Sequence, residues 1–345
     1  MQPLKKVSPG DRVAIVSPSF AAPAVWPHVH ELGLQRLREV FQLEPVEYPT
    51  TRQLGASAAD RAADLISAFT DPTIKAVIST IGGDDQVTYI KHLPAEPFVN
   101  NPKPFFGFSD NSHLANFLFL HGIPSYYGGA LFTQFAHQQA INPSTLRYIK
   151  YALFETGEFE LVPSESCNDL GLVWGDPASL TLTRDYEPNE GWSWDGTKGG
   201  EGVLWGGCVE SVDEMLRHGV PIPTLEQFSD IVLLMETSEE IPSADYVRRV
   251  FRALGERGIV RQLKGVLVGR AKAREFHLLR TPAERAAYRR EQQSTIVHAV
   301  RAYNPDIPIV QNLDFGHTEP QVPMPYGQPV RIDPTTQQIW AHFNA

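Results

Sequence analysis

Three residues of this 345-residue chain stand directly after, or at the end of, a short apolar run: Ser109 after "PFFGF", Glu236 closing "DIVLLME", and His317 after "IVQNLDFG". A serine hydroxyl becomes a nucleophile only when a base takes its proton, and an imidazole serves as that base when an acceptor fixes its tautomer. Serine, histidine and glutamate can fill those roles, and the chemistry would be acyl transfer through a covalent intermediate. Each also has a plainer role: Ser109 or Asp110 as a helix cap, Glu236 as a solvated strand end, His317 as a surface loop residue.

Ser109 has the most telling surroundings. "PFFGF" reads as a strand and "DNSHLANFLFLHG" as a helix, with Leu114, Phe117, Leu118 and His121 on one face and Gly122 at the C-terminal cap position. A serine at such a strand-to-helix turn is exposed at the carboxyl edge of a sheet. The N–H of Asp110 would face a developing oxyanion, a donor worth roughly 2.7–4 kcal/mol. Capping of the helix then falls to the Asp110 or Asn111 side. In "STIGGDD", Gly83 follows a buried strand and could supply a second donor; the alternative is an ordinary turn with Asp84 as the cap of a following helix.

No Walker-type lysine or Gly-x-Gly-x-x-Gly pattern accompanies these glycines, so no nucleotide cofactor is expected. His28 and His30 lack the spacing of a helical ligand pair, and no metal site is expected.

These residues need a scaffold. In the first half, β-type runs ("RVAIVSP", "IKAVISTIGG") alternate with helical patterns ("HELGLQRLREVF", "ADRAADLISAFTD", "DQVTYIKHL"), which argues a parallel sheet with helices on its faces. The expected fold is α/β: an N-terminal Rossmann-like domain over 1–165 carrying the serine, a linker at 166–180, and a smaller mixed α/β domain over 181–345 carrying Glu236 and His317. "PVRIDPTTQQIWAHF" reads as a terminal hairpin.

A formal charge of -10 and a pI near 5.6 offer no basic surface for nucleic acid. No run reaches the ~18 apolar residues of a membrane span, and the N-terminus lacks the apolar core of a signal peptide. A cytoplasmic protein is expected, with Cys167 and Cys208 as free thiols.

In order along the chain, "GDRVAIVSPS", "TIGGDD", "GFSDNSHL", "GGCVESV", "LMETSEE", "GVLVGR" and "LDFGHTEP" resemble the serine-peptidase family that contains the LD-carboxypeptidases and the microcin C immunity peptidases. The resemblance implies a Ser-Glu-His triad at Ser109, Glu236 and His317, oxyanion donors at Gly83 and Asp110, and a homodimer. The chain looks closer to the immunity branch, whose substrates are aminoacyl- or peptidyl-nucleotides. In that branch an aromatic-bearing loop stacks on the nucleobase, which implies substrate-binding roles for Trp192 and Trp194 in "EPNEGWSWDGTKGGEG"; the same indoles could close the second core. Cys208 stands where the family often has an asparagine beside the site, and is otherwise a small buried apolar residue. Removal of the terminal D-alanine from muropeptides is the alternative activity. A silent nucleotide- or peptide-binding protein is the alternative of another class.

Overall fold

A computed structural model describes residues 1–344. The β-branched runs of the first half form β1 (Arg12–Val16), β2 (Glu44–Glu47), β3 (Ile74–Ser79), β4 (Phe105–Gly107) and β5 (Ser125–Tyr127). They lie parallel in the order β2-β1-β3-β4-β5, and β14 (Met324–Tyr326) pairs antiparallel with β5 at the edge. In β3 only Lys75 reaches solvent, as a central strand covered on both faces requires. The helix Ala58–Thr70 starts where Ser57 Oγ accepts from Asp60 N–H, and stops before Asp71-Pro72.

The strand order reverses between β1 and β3, so the loops after these two strands diverge at the carboxyl edge and leave a crevice there. The nucleophile candidate stands one strand further on, after β4.

The second sheet runs β6 (Glu158–Leu161), β16 (Gln338–His342), β15 (Pro329–Asp333), β10 (Gly200–Cys208), β11 (Ile231–Glu236), β12 (Gly265–Gly269), β13 (Ile309–Leu313) and β9 (Ser193–Asp195). Its centre, β10 to β13, is parallel and its flanks are antiparallel. β15 and β16 are the terminal hairpin. A small ribbon pairs β7 (Ser166–Cys167) with β8 (Glu187–Pro188).

Each sheet takes a strand from the far side of 166–180: β6 joins the second and β14 the first. Within that stretch, Asp169 is buried between Arg274 (2.7 Å) and Arg289 (2.8 Å). One apolar cluster extends through both sheets, from Ile15 and Phe106 to Trp205 and Leu233. Trp205 also donates its indole N–H to Asn116 on the helix Ser112–Leu120, at 3.0 Å. Burying each such large side chain contributes roughly 1.5–3 kcal/mol, so the helix behind Ser109 is held by the second sheet as well as the first.

Two local expectations change. "DQVTYIKHL" forms two short 3-10 turns, Gln86–Thr88 and Ile90–His92, and not the expected helix; the N–H groups of Asp85 and Gln86 donate to the Asp110 side chain. "EGWSWD" contributes β9, an edge strand on β13. Among the described residues no helix is long and apolar enough to cross a membrane.

Candidate active site

Ser109 begins a 3-10 turn between β4 and the helix Ser112–Leu120, with φ of +64°. That region is costly for a residue with a side chain, by about 1–3 kcal/mol, and persists only when its surroundings hold it. Here they do. The Ser109 N–H donates to the Tyr127 hydroxyl at 3.3 Å, and its carbonyl accepts from Ser112 Oγ at 2.6 Å and Ser211 Oγ at 3.3 Å. Ser112 Oγ in turn accepts from Cys208 N–H at 3.1 Å, which fastens the bend to the end of β10.

The loop after β3 packs directly on this bend. A Cβ at Gly82 would lie 2.8 Å from Ser109 Cβ, 3.0 Å from its Oγ and 3.3 Å from Asp110 N. Only a glycine permits that approach. Gly83 has φ of +153°, and a side chain there would overlap Ser19.

The loop is fixed by the two residues after the serine. Asp110 Oδ2 accepts from the N–H groups of Asp85 (3.2 Å) and Gln86 (3.1 Å). Asn111 Nδ2 donates to the carbonyls of Ile81 (3.1 Å) and Phe108 (3.0 Å), while its Oδ1 accepts from Gln86 Nε2 at 2.8 Å. Neither side chain therefore caps the helix, contrary to expectation: both reach across to the β3 loop and brace it. Burial pushes the Asp110 carboxyl above its ordinary pKa, against the opposing pull of His113.

Glu236, the last residue of β11, is fully buried. Its Oε2 lies 2.7 Å from His317 Nδ1, and its Oε1 accepts from the Tyr127 hydroxyl at 2.6 Å. Gly316, with φ of +92°, makes room for this carboxylate: a Cβ there would fall 2.5 Å from Oε2. The imidazole also rests edge-on against Phe108, the residue before Ser109, with centroids 5.0 Å apart. Arg270, buried just past β12, steadies the His317 loop through an ion pair with Asp314 and a hydrogen bond to Thr318 at 3.2 Å.

His317 Nε2 lies 3.0 Å from Glu239 Oε2. Desolvation would lower the imidazole pKa, but the charges of Glu236 and Glu239 and their hydrogen bonds carry it up to about 10. Conversely, desolvation would raise the Glu239 pKa, and the charge of His317 holds it down to about 2.

Ser109, Glu236 and His317 thus stand at or just beyond the ends of three strands: Tyr127, absent from the sequence expectations, links the Ser109 backbone to Glu236, Glu236 links to His317, and among the described residues no hydrogen bond joins Ser109 Oγ to His317. Cys208 borders the group: an Sγ, a Glu236 oxygen and a His317 nitrogen lie within 4.8 Å of one another. Its thiol donates to Glu210 Oε2 at 2.9 Å, and burial followed by the Glu210 charge pushes its pKa well up, so it stays a thiol. Asp110, His113 and Glu214 form a second cluster within the same spacing, with His113 Nε2 3.2 Å from Glu214. The Cys208 thiol thus engages Glu210 and not the Glu236–His317 pair, and in the second cluster Asp110 Oδ1 and His113 Nδ1 have no hydrogen-bond partner among the described residues.

Trp192 and Trp194 flank Ser193 at the start of β9, half-buried against the main core. Among the described residues neither forms a hydrogen bond or ring contact with Ser109, Glu236 or His317. A different aromatic row meets the crevice at Phe20. Phe20, Trp26 and Trp174 stack edge to face with centroids 6.2 and 5.1 Å apart. Phe20 lines a cavity of about 220 Å³ with Ser19, Leu54, Arg61, Asp84 and Asp85, next to Gly83.

Residues 13–128 match the LD-carboxypeptidase N-terminal domain of peptidase family S66, and residues 201–332 match its C-terminal domain. The chain belongs to the S66 peptidase family. As an S66 peptidase it is 24% identical over 343 residues to YocD of Bacillus subtilis, which carries a provisional carboxypeptidase name, covering 97% of this chain and 98% of that one. It is 21% identical over 277 residues to the microcin C7 self-immunity protein MccF of Escherichia coli, covering 79% and 75%. Among solved structures, an MccF-like protein from Streptococcus pneumoniae in complex with AMP superposes with a TM-score of 0.83 at 26% identity, covering 97% of this chain and all of that one. MccF in complex with aspartyl sulfamoyl adenosine has a TM-score of 0.84 at 19% identity, covering 99% and 98%, a likeness of fold.

Proposed function

We propose that this S66 peptidase hydrolyses the amide-type link of aminoacyl- or peptidyl-nucleotides, an activity suited to immunity against microcin-C-type inhibitors or their detoxification. Ser109 is the nucleophile, His317 the general base and Glu236 the group that orients it. The N–H groups of Asp110 and Gly83 receive the oxyanion. The observation that carries this reading is one hydrogen-bonded path from Ser109 N–H through the Tyr127 hydroxyl and Glu236 to His317.

Ser109 Oγ adds to the acyl carbon while its proton passes to His317 Nε2, and the former carbonyl oxygen takes up the negative charge. Collapse expels the nitrogen leaving group, which receives that proton, and leaves an ester on Ser109. Water then adds to the ester, giving its proton to His317, and the serine departs with it. Glu236 stabilises the imidazolium at each stage without taking its proton.

Three features support a nucleotide over a simple peptide: the AMP held by the Streptococcus pneumoniae relative, the crevice at the β1/β3 switch point, and the aromatic row beside it. Phe20, Trp26 and Trp174 are accordingly the stacking candidates in place of Trp192 and Trp194. LD-carboxypeptidase action on muropeptides is the second reading, favoured by the family description. Side-by-side turnover of an aminoacyl sulfamoyl adenosine and a muropeptide tetrapeptide separates them. The nucleotide should be cleaved with the higher kcat/KM; the reverse order would reject the nucleotide assignment.

A further inference from the structure

A base serving Ser109 must accept the proton on Nε2, because Nδ1 is committed to Glu236. In the structure Nε2 faces Glu239 instead, at 3.0 Å. The two carboxylates on this ring differ in kind. Glu236 is fully buried at the end of β11 and accepts a second bond from Tyr127, whereas Glu239 stands on the turn after that strand with 57% of its side chain exposed. One is built in and the other is free to leave.

We propose that Glu239 is a displaceable cap on the base, drawn away by a primary ammonium on the acyl side of the scissile bond, so that the same residue selects the substrate and releases the catalyst. The inference rests on the assignment of Ser109 and His317 above.

With both carboxylates in place, the imidazole is held as a cation that donates from both nitrogens and cannot take a proton. The charged groups that act on the pair are Glu236 from β11 and Lys272 beyond β12; Cys208 at the end of β10 feels the charge of Glu239 and is bonded to Glu210 on the helix that follows. Lys272 is already paired with Glu275 at 2.6 Å. The surroundings therefore hold an excess of carboxylates, which suits an incoming cation and repels an anion.

Glu239 gives up a charge-assisted bond when it leaves the imidazolium. An ammonium on the substrate returns such a bond; a neutral acylated nitrogen does not. The α-ammonium of an aminoacyl group is two bonds from the carbonyl carbon under attack. When that carbon reaches Ser109, the ammonium therefore comes close to Nε2, and Glu239 needs only to swing towards it. The Nε2 proton passes to solvent and the carboxylate stays ionised, so capture of the ammonium releases one proton and frees the nitrogen for the Ser109 hydroxyl.

The test compares wild type with Glu239→Gln on an aminoacyl sulfamoyl adenosine and its N-acetyl derivative, across pH, alongside labelling by a fluorophosphonate that carries no ammonium. Wild type should favour the free amine by about tenfold or more, a difference of roughly 1.4 kcal/mol. The variant should lose most of that preference, move the acid limb of its pH profile downwards, and be labelled at pH 7 about tenfold faster. An unchanged amine preference and labelling rate, with Ser109 still the residue labelled, would overturn the cap and leave the nucleophile standing. Labelling at another residue in both proteins would overturn the nucleophile and the cap together.

Discussion

The Tyr127 hydroxyl donates to Glu236 Oε1 at 2.6 Å and accepts from the N–H of Ser109 at 3.3 Å, so a single side chain couples the bend that presents the serine to the carboxylate that orients the histidine. Burial pushes the phenol pKa well above its ordinary value, with the Glu236 charge acting in the same direction, so the hydroxyl remains a donor at every working pH. Tyr127→Phe leaves a buried Glu236 oxygen unpaired, a cost of about 1–3 kcal/mol or more for a charged group. The expected result is a lower melting temperature and a kcat reduced about tenfold or more, both read on the purified variant. Unchanged kcat would remove Tyr127 from the account.

His317 also sets a pH dependence of stability. Its folded pKa of about 10 exceeds the ordinary value of 6.5. The stabilisation from its two carboxylates is therefore complete below about 6.5 and is lost as pH rises through about 10. Burial of Lys6 and Lys103, lowered to about 7 and about 8, acts in the opposite sense over the same range. The clean readout is thus the difference in melting temperature between wild type and His317→Gln. That difference should be largest near pH 6 and shrink by pH 10; a constant difference contradicts the assignment.

Gly82→Ala tests the packing of the β3 loop on Ser109. Its Cβ would fall 2.8 Å from Ser109 Cβ and 3.3 Å from Asp110 N, so the loop must retreat and carry the Gly83 N–H with it. Losing one oxyanion donor costs about 10²–10³ in kcat. Steady-state kinetics should show that loss, with far less effect on KM.

The aromatic row predicts a binding effect. Phe20→Ala or Trp174→Ala should raise KM for an aminoacyl sulfamoyl adenosine by about 5- to 150-fold, equivalent to roughly 1–3 kcal/mol of base stacking. KM for a muropeptide should barely move. Trp192→Ala should reduce melting temperature before it alters KM, since that indole packs against the core and, unlike Trp174, has no ring contact with the row that includes Phe20.

Much of this site was legible because strands announce themselves. "IKAVIST", "PFFGF" and "DIVLLME" are apolar enough to be strands wherever they occur, and the residues just beyond them must sit at a sheet edge. Ser109, Glu236 and His317 were placed at strand ends for that reason, while their reading as a triad is what the family resemblance implies. Tyr127 was not legible: in "IPSYYGG" it has the pattern of a core residue, and its acceptor is 109 positions away. Glu239 reads as a solvated turn residue, and its contact depends on where the His317 loop arrives. The tryptophans read two ways, as an exposed loop or as part of the second core. The Gly, Asn and Asp around Trp192 and Trp194 look like an exposed loop, yet the segment pairs with β13, while Trp174 meets Trp26 only through tertiary packing.

A covalent ester on Ser109 would be caught by rapid-quench mass spectrometry during turnover of an aminoacyl sulfamoyl adenosine. Wild type should show an aminoacyl mass on the peptide carrying Ser109, Ser109→Ala should show none, and kcat should fall by about 10³ or more in that variant. An acyl mass on another residue, or turnover by Ser109→Ala at the wild-type rate, would contradict the Ser109 ester.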